Sequence, residues 1–114
     1  MARDVVKAIT LQSFDTASAD ATFQPLDANG LTESCVWVQL FNNSDIDLLI
    51  SLDGINYNFF LAIDSYITLP AQNNSQPNNQ RLMFKKGQIF YVTSFTGAAG
   101  MGRVFLSGLY SDPS

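Results

Sequence analysis

Apolar side chains along this chain recur at alternate positions in short runs, and each run ends at a cluster of Asn, Asp, Gly, Ser or Pro. A period of two puts successive residues on opposite faces of an extended strand, so the pattern predicts short strands joined by turns, without a helix. The first run covers residues 6–14, with Lys7, Ile9, Leu11 and Ser13 on one face and Thr10, Gln12 and Phe14 on the other. Residues 17–20 are small and polar and read as a loop. Residues 21–26 read as a short strand that Pro25 confines to a sheet edge, because proline has no N–H for a second neighbour. Asp27-Ala28-Asn29-Gly30 reads as a turn, since Asn and Gly tolerate the positive φ of a tight reversal.

The strongest predicted strand is residues 35–41, where Cys35, Trp37, Gln39 and Phe41 alternate with Val36, Val38 and Leu40. Both faces are largely apolar, which predicts a central strand covered on both sides. Asn42-Asn43-Ser44-Asp45 then turns the chain into residues 46–52, with Ile46, Leu48, Ile50 and Leu52 inward and Asp47, Leu49 and Ser51 outward. Asp53-Gly54 is the clearest hairpin signal. Residues 57–63 form another run apolar on both faces, and residues 66–69 a short strand ended by Pro70. Residues 71–80, a tract of amides, Ser and Pro, bury too little surface to offset their ordering entropy and predict a long exposed loop. Residues 81–84, 88–95 and 102–110 complete the strands, linked by Lys85-Lys86-Gly87 and by the glycine-rich residues 97–100. About eight strands with no helix predict an all-β, antiparallel two-sheet β-sandwich, jelly-roll-like, with an immunoglobulin-like order as the alternative. The division is an extended N-terminal segment, residues 1–7, and a single domain, residues 8–114.

Composition adds a surface character. At 114 residues the chain is one domain long, enough to bury roughly 65% of its unfolded surface without metal or disulfide staples. Charged residues make up only 14%, against a usual share of about 25%, and amides and hydroxyls take their place. Such a surface loses less when another protein covers it, because fewer charges must be desolvated. The net charge is −4, and the only basic pair is Lys85-Lys86, so the cationic patch that nucleic acid requires is not expected. The single cysteine, Cys35, lies in an apolar run and reads as a small buried hydrophobe. The N-terminal residues show no apolar signal-peptide core and no stretch is long enough for a membrane helix, which predicts synthesis in the cytoplasm and no membrane partner.

Candidate chemistry is sparse. The sequence has no histidine, which removes the usual proton shuttle, the Ser–His and Cys–His pairs and the commonest metal ligand. Asn43, Asp45 and Asp47 would share a face of a strand and hint at a weak calcium site, with Asp53 beyond them, but they lack the spacing and the glycine of an EF-hand. The ordinary reading makes 42–45 a turn and Asp47 an outward strand residue. Glu33 is the only glutamate, so a Glu pair flanking a sugar cleft is not available. The glycines at 97, 100 and 102 superficially suggest a phosphate cradle, but Arg103-Val104-Phe105-Leu106 continues them as strand and not as helix. No catalytic, cofactor-binding or metal residue is assigned, and no enzyme is expected. The nine Phe, four Tyr and one Trp are the richest feature. Most Phe read as core, while Tyr57, Tyr66, Tyr91, Tyr110 and Trp37 leave a sugar-stacking module open as an alternative.

Residues 38–56 (VQLFNNSDIDLLISLDGIN) place a strand, an Asn-Ser-Asp turn, a strand ending Ile-Ser-Leu-Asp-Gly and then an aromatic strand in succession. Together with KGQIFYV at 86–92 and GRVFLSGLY at 102–110, this resembles small virion structural proteins of tailed bacteriophages, across roughly residues 36–110. The resemblance implies a β-sandwich that decorates or cements the capsid, or sits at the neck, tail or fibre. It implies a homo-oligomer, commonly a trimer, bound to the major capsid protein or other virion proteins. It carries no catalytic residues. The segment 1–7 and the loop 71–80 are the expected contact regions, since extended segments can add a strand to a neighbour's sheet.

Overall fold

A computed structural model describes residues 4–70 and 84–113. They form β1 (Asp4–Ala8), β2 (Gln12–Asp15), β3 (Gln24–Pro25), β4 (Cys35–Ser44), β5 (Leu48–Ser51), β6 (Phe59–Leu61), β7 (Tyr66–Pro70), β8 (Tyr91–Ser94) and β9 (Gly102–Pro113), with one 3-10 turn at Thr16–Ser18. No α-helix occurs among the described residues. The five-stranded sheet runs β1–β9–β4–β7, with β2 also on β9; the four-stranded sheet runs β3–β8–β5–β6. All pairings are antiparallel.

From β2 onward every connection crosses from one sheet to the other, except β5 to β6. With β1 and β2 taken as one interrupted strand, this is the strand order of a jelly roll, one of the two orders the sequence pattern leaves open, and not the ABED and CFG order of the immunoglobulin fold. Between the sheets lie Val38 and Leu40 of β4, Leu48 and Ile50 of β5, Leu61, Val92, Val104 and Leu106, with Leu31 and Phe90 closing one end.

The spine is the β4–β9 ladder, which runs from Cys35 opposite Tyr110 to Ser44 opposite Gly102 and keeps one register from Trp37 onward. Gly102 starts β9 at φ +123°, where a Cβ would lie 2.3 Å from the Asn43 carbonyl oxygen, so only glycine admits this approach of the two backbones.

Several elements depart from simple alternation. Residues 6–14 are not one strand: the chain breaks between β1 and β2, which lets Ile9 and Gln12 both face inward and leaves Leu11 exposed. The inward Gln12 amide donates to the Gly30 carbonyl, 2.9 Å. The ladder also shifts register between Cys35 and Trp37, a bulge that turns Cys35 to the same side as Val38 and Leu40. Gly108 makes room for it, since a Cβ there would sit 2.9 Å from the Cys35 sulfur. The strand is covered on its inner face only; Trp37 and Gln39 are half-buried and Phe41 exposed on the outside. It also continues through Asn42 to Ser44, where the sequence predicts a turn. Residues 88–90 precede β8 outside the ladder. Of the segment 1–7, residues 4–7 belong to β1; the loop 71–80 lies outside the described residues.

Candidate interaction surface

The acidic side chains, the first place to look for chemistry, are occupied in shaping turns. Six aspartates accept a backbone N–H: Asp15 from Ala17, Asp20 from Thr22, Asp27 from Asn29, Asp45 from Met101, Asp47 from Ile63, and Asp53 from Ile55 and Asn56. Asn43, Asp45 and Asp47 are not brought together. Asn43 lies opposite Arg103 on the outer side of β4, while the carboxylates of Asp45 and Asp47 hold different loops. No group of three or more metal-ligating side chains occurs among the described residues. Glu33 is exposed, and the glycine-rich residues 97–100 lead into β9, with the Gly100 N–H on the Thr16 carbonyl. Burial, with the Glu33 charge added, pushes the Cys35 thiol up.

Asp53 and Gly54 do not make a two-residue hairpin. Seven residues, 52–58, link β5 to β6 and fold over the outer face of the four-stranded sheet. Asp53 organises them: besides the two N–H groups it accepts from the Ser51 hydroxyl and the Asn56 amide, both at 2.8 Å. The backbone N–H groups of Asn56 and Ile55, followed by the two side chains, hold its carboxyl far below the usual range. Gly54 (φ +76°) sits on the Tyr91 ring, where a Cβ would be 3.3 Å away. The loop presents Ile55 and Tyr57 to solvent, and Tyr57 packs on Phe23 with ring centroids 5.2 Å apart.

Further along this face, Phe60 and Phe95 meet edge to face, centroids 5.3 Å apart and planes at 82°. They remain 50% and 56% exposed. Leu49 pairs with Phe60 in the ladder, and Ile63, 45% exposed, stands just past β6 with its N–H on Asp47. The Phe95 N–H bonds the Asp47 carbonyl, 3.0 Å, so Asp47 fixes two of the patch's residues. The result is an exposed aromatic patch at β6 and just past the end of β8, with Asp47 at its margin.

The turn that supports this patch is held by Asn42, which sequence reasoning missed as a functional position. Asn42 is fully buried; its amide donates to the carbonyls of Ile46, Leu61 and Ala62, and its oxygen accepts from the Ser44 N–H and hydroxyl. The signal was present, because the inward parity of Val38 and Leu40 continues to residue 42.

The outer face of the five-stranded sheet is banded. Across β9, β4 and β7 the register aligns Phe105, Phe41 and Tyr66 in one row, Ser107, Gln39 and Thr68 in the next, and Leu109, Trp37 and Pro70 in the third. Arg103 and Asp15 lie beyond the aromatic row as an exposed ion pair at 3.9 Å. Of the exposed tyrosines, Tyr66 stands on this face and Tyr57 in the loop of residues 52–58 between β5 and β6.

No family model matches the chain, and no curated protein matches it. Among solved structures it is similar to the crystal structure of SPP1 Dit (gp 19.1), described as a paradigm of the hub adsorption apparatus in phages infecting Gram-positive hosts. The identity is 10%, the match covers 96% of this chain and 57% of that one, and the TM-score is 0.40. This chain thus spans little more than half the length of that protein, and so loose a likeness shows neither a common fold nor a common role.

Proposed function

We propose that the chain is a non-enzymatic structural protein of a tailed-phage virion, a decoration or cement protein that binds between shell subunits and stiffens the particle. The Phe60–Phe95 patch carries this reading. Two half-exposed aromatic rings at β6 and the end of β8, with the Asp47 carboxylate at the margin, have the make-up of a protein-binding anchor: apolar centre, polar rim. The sequence resemblance over residues 36–110 supplies the virion, and the use of six aspartates as turn acceptors leaves them poorly suited to moving protons. Many weak contacts of this kind, multiplied over a lattice, give firm attachment. The neck or tail is the other position such a module would occupy.

The test is to add purified protein to phage particles assembled without it. Bound density on the shell in a reconstruction, lost with Phe60→Ser/Phe95→Ser while the variant stays folded, supports decoration. Density at the neck or tail moves the protein there. No bound density, with particle stability unchanged, overturns the reading.

A further inference from the structure

We propose that the outer face of the five-stranded sheet is a self-association surface, occupied by a second copy of this chain across a two-fold axis. The three rows described above read apolar, polar, apolar: Phe105–Phe41–Tyr66, Ser107–Gln39–Thr68, Leu109–Trp37–Pro70. Such a pattern is self-complementary. A two-fold axis lying between two such faces along the middle row stacks each copy's aromatic row on the other's Leu109–Trp37–Pro70 row. It also brings Gln39 opposite Gln39. An amide both donates and accepts, so it pairs with its own copy through two reciprocal N–H···O bonds, and the Ser107 and Thr68 hydroxyls flank the second N–H of each in the same row. An isologous contact requires this matching of a patch with itself.

Charge selects the same occupant. The chain carries −4, so two copies repel over most of their surface. These three rows contain no Asp, Glu, Lys or Arg, and Arg103 with Asp15 is set one row outside them. A basic partner would find nothing to pair with here; an identical copy meets no like charge.

Area sets the strength. Three strands spaced ~4.8 Å and three rows ~6.8 Å apart give a face of roughly 300 Å² per copy. A standard stable interface buries about 800 Å² per partner. The contact is therefore a weak, concentration-dependent dimer, two-fold where the family resemblance implies a trimer. It does not depend on where in a particle the protein sits, and its test uses no particle.

Sedimentation velocity across a wide concentration range should show a monomer–dimer equilibrium. Gln39→Glu and Gln39→Lys each set like charges face to face across the axis and should weaken the dimer by about tenfold or more. An equimolar mixture of the two should recover a dimer at least as tight as the parent, because only a two-fold contact through residue 39 pairs them. Thr68→Glu, on the exposed edge strand of the same row, serves as a second disrupting variant should the substitutions at 39 unfold the chain. A monomer at every concentration, a trimer, or a dimer indifferent to charge in this row would overturn the proposal.

Discussion

At the scale of single residues, the polar side chains that matter are those that close turns rather than those that could do chemistry. Asn42 is the extreme case, one fully buried amide satisfying carbonyls from two different connections. Replacing it with alanine takes the side-chain donor from the buried Leu61 carbonyl and the side-chain acceptor from the buried Ser44 N–H, while the Ile46 and Ala62 carbonyls keep bonds from Ser44 and Ser65. A buried group left unsatisfied costs about 1–3 kcal/mol. Asn42→Ala is expected to lower stability by about 2–4 kcal/mol in urea denaturation, without changing the strand content seen by circular dichroism. The inward position of residue 42 was legible from the alternation of Val38 and Leu40. Its role was not, because the partners come from residues 46, 61 and 62, and no local pattern announces contacts across that distance.

At the scale of elements, the sequence pattern located strands well and their ends poorly. The inward set Ile46, Leu48, Ile50 and Leu52 stands where the alternation put it, since a half-buried strand enforces a period of two. The misreadings fall where that period is interrupted. The bulge before Trp37 turns Cys35 inward, and the break after Ala8 sets Ile9 and Gln12 on one side; neither carries a glycine or proline that would have marked it. The Asp53-Gly54 dipeptide favours a tight reversal, which is what the sequence predicts. Here Asp53 instead gathers donors up to three residues ahead and holds a seven-residue loop.

This loop has a pH signature with a definite sign. The Asp53 carboxyl lies below its unfolded value of about 3.9, so the charged form favours the folded loop. The contribution is complete above that unfolded value and is lost only as the pH falls from there through the lower folded one. Amide resonances of Ile55 and Asn56 should therefore show no titration step near pH 4, where an unperturbed aspartate moves. Asp53→Asn removes the charge and should increase amide exchange within residues 52–58 at neutral pH, with the rest of the protein unaffected.

For the whole molecule, the jelly-roll order divides the outer surface into two faces of different character. One ends in a half-exposed aromatic patch edged by the Asp47 carboxylate; the other is banded and free of charge in its three central rows. The all-β class was legible because short alternating runs and turn residues allow little else. The division of faces was not, since the position of a row across three strands depends on register, which the sequence left open. The phenylalanines, most of which the sequence assigns to the core, prove to be shared: Phe90 and Phe14 fill the interior, while Phe60 and Phe95 stay out.

The fully buried Cys35 offers a way to time how the molecule comes apart. It sits where β4, β9 and the residues after β1 converge, against Gly108 and Ile9, and it is the chain's single thiol. A thiol reagent in native buffer can reach it only during transient unzipping of that corner. The labelling half-life is thus a clock for the seam joining the two ends of the sequence, and it needs no engineered probe. If the clock stays slow while Asn42→Ala quickens amide exchange near residues 61–65, the two ends of the slab open independently; if both speed up together, the slab opens as one.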